Sequence, residues 1–469
     1  MSARAAVAAV LLCAAGLAGP AWSAAAQVPP VVPPPPDPGL RPTTTEAGTF
    51  PYRAEGQVGP AQLAGACAGR SSERAADLSA APQAQARMRI KEAHEFATGR
   101  GQTVAVIDSG VNPHPRLADR LDDGGDYILG ESGTADCEGH GTVVAGIIAA
   151  APDPGTGFVG VAPDARILAI RQSSTFFEVE LPDRTSGRTR SVNAGDTTSM
   201  ARAIVSAVQT PGVSVINISE AACYSARQVG RATDRDLQAA VRYATERDVV
   251  VVAAAANEGD PARTRCRQNP DTGVGTIVSP AWFDADVLAV AATDPRTGAP
   301  ASFSIRGPWV DVAAPGTGIV SLDPSGTGLT ATLANTEGDR FDIIGTSFAA
   351  PYVSGVVALV RERFPDLTAQ QVVDRIQQTA QHTAGPGGRD TTLGYGVIDP
   401  IAALTDVLPG EGGMPPEPTS PARLEDFRLP EQEDPVRLVV ALVGAGGALG
   451  ALGITVLTVS TVKRHRRGR

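Results

Sequence analysis

Four short apolar runs constrain this chain more than any other feature: QTVAVID (102–108), RILAIR (166–171), VSVINIS (213–219) and DVVVVAAAAN (248–257). Each is rich in β-branched residues and apolar at nearly every position. Each therefore reads as a strand covered on both faces. Helices are predicted between and beside them, at about 140–151, 196–209, 231–247, 347–363 and 368–381. Such alternation builds an α/β fold of three layers, a mainly parallel sheet covered by helices on both faces. Its site lies at the carboxyl ends of the strands. Residues 172–195 interrupt the alternation and read as a long polar loop.

The flanks read differently. Arg4, an apolar stretch at 5–18 and Ala24-Ala25-Ala26 form the three parts of a secretory signal, predicted to be cleaved after about residue 26. Residues 27–83 are an N-terminal extension. Its part 28–42 is a proline-rich spacer, and 43–83 are polar and irregular, tied to the body through Cys67. The body spans 84–407, and the Pro- and Glu-rich stretch 408–437 reads as a flexible tether. From Leu438 to Val462 there are 25 residues without a charge, enough for one transmembrane helix. The basic tail 463–469 then lies in the cytoplasm and everything before Leu438 outside it. Glycines at 444, 446, 447, 450 and 453 would let another membrane helix approach closely.

Composition narrows the function. A net charge of −10 gives no footprint for nucleic acid. Cys67, Cys137, Cys223 and Cys266 remain after signal removal, and an even number in an exported chain implies two disulfides with three possible connectivities. No cysteine pair has the short spacing of a zinc site, and no metal or other cofactor is expected.

The chemistry centres on GTSFAAPYVSGVVALV (345–360). Ser347 stands at the mouth of an apolar helix, either as its N-cap or as a nucleophile at the positive end of the helix dipole. Pro351, read as part of the first turn, suits both readings. A serine nucleophile needs a base. Of five histidines, His94 lies in a helix-like stretch, His114 in a turn, His382 near a helix end and His465 in the tail. His140 is flanked by glycines in CEGHGTVVAGIIAA, at a helix start where the imidazole can emerge. Asp108 ends the strand VAVID and can orient that imidazole. Asn257 lies just past the strand in AAAANEGD, where its amide can serve a tetrahedral oxyanion.

VAVIDSGV, GHGTVVAGIIAA, AAAANEG and GTSFAAPYVSG together resemble the four signature blocks of subtilisin-like serine proteases, over about residues 85–405. The resemblance implies that Asp108 orients, His140 is the general base and acid, Ser347 attacks, and Asn257 stabilises the oxyanion. It implies substrate-binding positions at Ser219, Glu220 and Ala256. Ala256 replaces a common glycine and narrows the primary specificity pocket. Glu220, in NISEAACYS, replaces a small residue at the cleft edge. No calcium-loop pattern is present.

The signal, the proline-rich extension, the four cysteines, RQSSTFF and the anchor resemble the mycosins, membrane-anchored subtilases of actinobacterial type VII secretion systems. That resemblance implies bridges Cys67–Cys137 and Cys223–Cys266, and an extension that is retained and wraps the body without blocking the cleft. It also implies exported proteins as substrates and the secretion membrane complex as partner. The rival expectation is a structural component of that complex with secondary proteolytic activity.

Overall fold

The computed structural model describes residues 51–68, 79–183, 186–227, 234–259, 266–271, 273–411, 449, 451–461 and 463. The signal at 1–26, the spacer at 28–42 and most of the tether and the span 438–462 lie outside them. One compact unit ends at Glu411, and a second covers 412–469. In the second, residues 451–461 are helical. Among the described residues no helix is long and apolar enough to cross a membrane.

In chain order the strands of the first unit begin with β1 (Val58–Leu63), β2 (Thr103–Asp108), β3 (Leu121–Asp126), β4 (Arg166–Arg171), β5 (Ser174–Pro182) and β6 (Thr189–Ala194). They continue with β7 (Val213–Ile218), β8 (Ala222–Ser225), β9 (Val250–Ala254), β10 (Thr276–Ser279), β11 (Leu288–Thr293) and β12 (Val312–Pro315). The helices are α1 (Gln83–Arg87), α2 (Ile90–Ala93), α3 (His140–Ala149), α4 (Thr197–Gln209), α5 (Arg235–Thr245), α6 (Thr346–Arg363), α7 (Ala369–Gln378) and α8 (Pro400–Thr405).

Seven strands form one sheet in the order β12-β11-β9-β7-β2-β4-β3, and each neighbouring pair is parallel. Side chains alternate across it, as the strand period of two requires. Val104, Val106, Val215, Val250 and Val252 face the helices α3 and α6, while Ala105, Ile107, Ile216, Ile218 and Val251 face α4 and α5. Both faces are therefore covered, which is why the runs read as continuously apolar. The predicted strands at 102–108, 166–171, 213–219 and 248–257 correspond to β2, β4, β7 and β9.

Two expectations need correction. Residues 172–195 are not a loop: β5 and β6 form an antiparallel hairpin there, and β1 of the extension adds a third strand beside β5. Phe176, Phe177, Val179 and Ala194 of this small sheet are buried in one cluster with Ala61 and Ile128. For the same reason 43–83 is not wholly irregular. The chain after β1 donates Ala64 N–H to the Phe176 carbonyl and Ala68 N–H to the Cys137 carbonyl, at 2.9 and 2.8 Å. The bridge Cys67–Cys137 fastens it there, and Cys223 of β8 pairs with Cys266, the two pairs that the resemblance implies.

Candidate active site

Asp108, the last residue of β2, is wholly buried. Its Oδ1 accepts the Ser109 N–H at 2.7 Å and faces His140 Nδ1 at 2.7 Å. His140 opens α3, directly after Gly139. Gly141 allows this approach, because a Cβ there would lie 2.1 Å from the Gly110 carbonyl oxygen and 3.0 Å from Asp108 Oδ1. The ring of Phe348 packs on the imidazole with centroids 4.9 Å apart.

Asp136 holds the two segments in register. Its Oδ1 accepts from Ser109 Oγ at 2.9 Å and Gly139 N–H at 2.7 Å, and its Oδ2 from Thr142 N–H at 2.9 Å and Thr142 Oγ1 at 2.6 Å. Ser109 Oγ in turn accepts the Gly141 N–H at 3.0 Å. Burial pushes the Asp136 carboxyl up to about 6, against the hydrogen bonds from Thr142 and Gly139 that favour its charged form. For His140, burial disfavours the imidazolium, but the charge and hydrogen bond of Asp108 outweigh it and raise the pKa to about 9.

The other described histidines have different surroundings. His94 faces the Val161 carbonyl, His114 that of Gly328 and His382 that of Gln378. Only His140 among them has a carboxylate on its ring nitrogen. His465 lies outside the described residues.

Ser347 is the second residue of α6, and Gly345 is the N-cap, so the capping reading of Ser347 fails. The cap acceptor comes from elsewhere: Asn257 Oδ1 accepts the Thr346 N–H at 2.9 Å and the Thr346 hydroxyl at 3.0 Å. Two donors on Oδ1 fix the orientation of this amide and leave its NH2 as the donor end. A Cβ at Gly345 would come within 3.2 Å of Asn257 Nδ2, so a side chain there would crowd that donor. Ala256, just before, sits at φ +66°, a left-handed conformation that its methyl group disfavours.

Pro351 is the sixth residue of α6 and lies beyond the first turn, contrary to the sequence reading. A proline there offers no N–H to the carbonyl four residues back, which is that of Ser347. Ser219 Oγ supplies the missing donor at 2.7 Å. Ser219 accepts from Asn217 Nδ2 at 2.9 Å, and Asn217 Oδ1 accepts from Ser354 Oγ at 2.8 Å. This chain of hydrogen bonds spans two turns of α6 across the proline.

His140, Ser219, Glu220, Ala256, Asn257 and Ser347 line one cleft of about 680 Å³. The same cleft holds Glu138, Phe176, Phe341 and Ile344, which sequence reasoning missed. Phe341 and Ile344 are each 50% exposed, and two such apolar side chains just before GTS were the available signal. One group of three described residues, Asp108, His140 and Glu220, brings its ligand atoms within 4.8 Å of one another. Nδ1 of His140 is already committed to Asp108, which makes this group an acid–base arrangement first.

Comparison with known proteins defines the class. The subtilase family profile matches residues 99–396, and the chain is a subtilisin-like serine endopeptidase. Mycosin-1 of Mycobacterium tuberculosis is 43% identical over 389 residues, covering 80% of this chain and 85% of the relative. A solved structure of the serine protease MycP1, described as an essential component of the type VII (ESX-1) secretion system, has 41% identity and a TM-score of 0.69. It covers 80% of this chain and 100% of the other. A chain within an intact ESX-5 inner membrane complex has 38% identity and a TM-score of 0.70, covering 92% of this chain and 100% of its own length. Within the subtilases, this chain belongs to the mycosins.

Proposed function

We propose that this chain cleaves exported proteins at the outer side of a membrane, with Ser347 as nucleophile and Asp108, His140 and Asn257 in support. The observation that carries the reading is the 2.7 Å pairing of His140 Nδ1 with buried Asp108, in the cleft that also holds Ser347 and Asn257. Nε2 of His140 takes the Ser347 hydroxyl proton as Oγ bonds to the scissile carbonyl carbon. Asn257 Nδ2 and the Ser347 N–H then donate to the oxyanion. Collapse breaks the C–N bond, His140 passes its proton to the leaving amine, and water hydrolyses the acyl-enzyme by the same steps in reverse order. Turnover of a casein or peptide substrate by Ser347→Ala, with unchanged near-UV circular dichroism, tests this. A loss of several orders of magnitude supports the assignment, and retained turnover rejects it.

A structural role within a type VII secretion membrane complex is the second reading. It is favoured by the similar chain found in the ESX-5 inner membrane complex. In this reading residues 438–462 anchor the chain, 463–469 face the cytoplasm, and the glycines of the span pack against other membrane helices. Recovery of the complex in detergent should survive Ser347→Ala and weaken when 438–462 is replaced by an unrelated membrane helix. Equal recovery with the replaced helix would reduce the span to an anchor.

A further inference from the structure

The described lining of the catalytic cleft carries four carboxylates, Glu138, Glu220, Glu258 and Glu337, and neither lysine nor arginine. A concave site lined by one sign of charge concentrates its field and draws in the opposite sign. Glu220 brings one ligand oxygen within 4.8 Å of the ligand atoms of Asp108 and His140. It also lines a smaller side cavity of about 160 Å³, together with Gln172, Ser173 and Thr175. Glu220, with Thr175, Asn193 and Ala221, thus lines both the cleft and a recess large enough for the stem of a long side chain.

Resting on the peptidase reading above, we infer that the cleft takes substrate segments with a lysine or arginine close to the scissile bond, and that Glu220 pairs with that cation. An acidic side chain at the same position meets like charge on several sides and is rejected. A neutral one binds without the pairing. The raised pKa of His140, to which Glu138 and Asp136 contribute after Asp108, fits the same negative potential.

The test uses the full-length chain in detergent and quenched fluorescent peptides of one parent sequence. Arginine, its neutral isostere citrulline, and glutamate are placed in turn at each of several positions flanking the cleaved bond. At one position arginine should exceed citrulline by at least about 10-fold in kcat/KM at low salt, and the ratio should shrink in 1 M NaCl. Glu220→Gln should cut that ratio, and Glu220→Asp, which keeps the charge, should retain most of it. Fluorophosphonate titration of Ser347 counts the competent sites in each variant, so that loss of fold is not read as loss of preference. Ratios near one at every position in labelled wild-type enzyme overturn the inference and leave the peptidase reading standing. A ratio unchanged in labelled Glu220→Gln overturns the role of Glu220. Absence of labelling in the wild type overturns the peptidase reading, and this inference with it.

Discussion

Ser219 donates its hydroxyl hydrogen to the Ser347 carbonyl at 2.7 Å, replacing the helical donor that Pro351 removes. The candidate nucleophile therefore depends on a residue just past β7, on a different segment of the chain. Ser219→Ala leaves a part-buried acceptor without its donor, a loss of about 1 kcal/mol. It should lower kcat more than it changes KM. Pro351→Ala restores an N–H to the same carbonyl, and the double variant should recover part of the loss. Strictly additive thermal shifts for the two substitutions would show that they do not share this acceptor.

Asp136 joins the segment after Asp108 to the turn before His140 by hydrogen bonds to Ser109, Gly139 and Thr142. Asp136→Ala strands several buried donors at once and should destabilise the body by about 2–4 kcal/mol, read by urea denaturation. Turnover should fall with it, because His140 loses the frame that aims it at Asp108. A variant of full stability and full activity would remove Asp136 from this role.

His140 has a raised pKa, chiefly because Asp108 overcomes the effect of burial. Only the neutral imidazole can accept the Ser347 proton, so kcat/KM should rise with pH through a midpoint above the ordinary histidine value of about 6.5. The sign for stability is opposite. A raised folded-state pKa stabilises fully below the unfolded value, and that contribution is lost as pH rises through the folded one. Asp108→Asn should move the kinetic midpoint down and reduce kcat by about 10⁴. A midpoint at or below 6.5 in the unsubstituted enzyme would contradict the pairing.

Ala256 occupies a left-handed conformation at φ +66° beside Asn257. Ala256→Gly removes the clash of its methyl group, worth about 1 kcal/mol, partly offset by the greater chain entropy of glycine when unfolded. The expected result is a small gain in thermal midpoint and faster cleavage of substrates with bulkier side chains at the widened wall. Lower stability together with unchanged selectivity would argue against both effects.

What the sequence disclosed follows physical lines. β2, β4, β7 and β9 are buried on both faces, and their β-branched runs say so directly. β3 (LDDGGD) pairs with β4 through its backbone while carrying a turn-like composition, so no pattern announces it. β5 lay hidden because its polar alternation is completed by β1, more than a hundred residues away. Asp108, His140, Asn257 and Ser347 were legible as residues at element ends. The ties of Asp136 to Ser109 and of Ser219 to the Ser347 carbonyl exist only where distant segments meet. Pro351 reads as a first-turn residue only if the helix starts at 347; with its start at Thr346 the missing N–H faces the Ser347 carbonyl, and Ser219 gives it meaning.

The most direct measurement locates a fluorophosphonate adduct by peptide mass spectrometry in the wild type and in the Ser347→Ala and Asn257→Ala variants. Wild-type enzyme should carry one adduct, on Ser347. Ser347→Ala should carry none, and Asn257→Ala should label at the same serine but more slowly by about 10²–10³, through loss of one oxyanion donor. An adduct on any other residue, or labelling that persists in Ser347→Ala, contradicts the assignment.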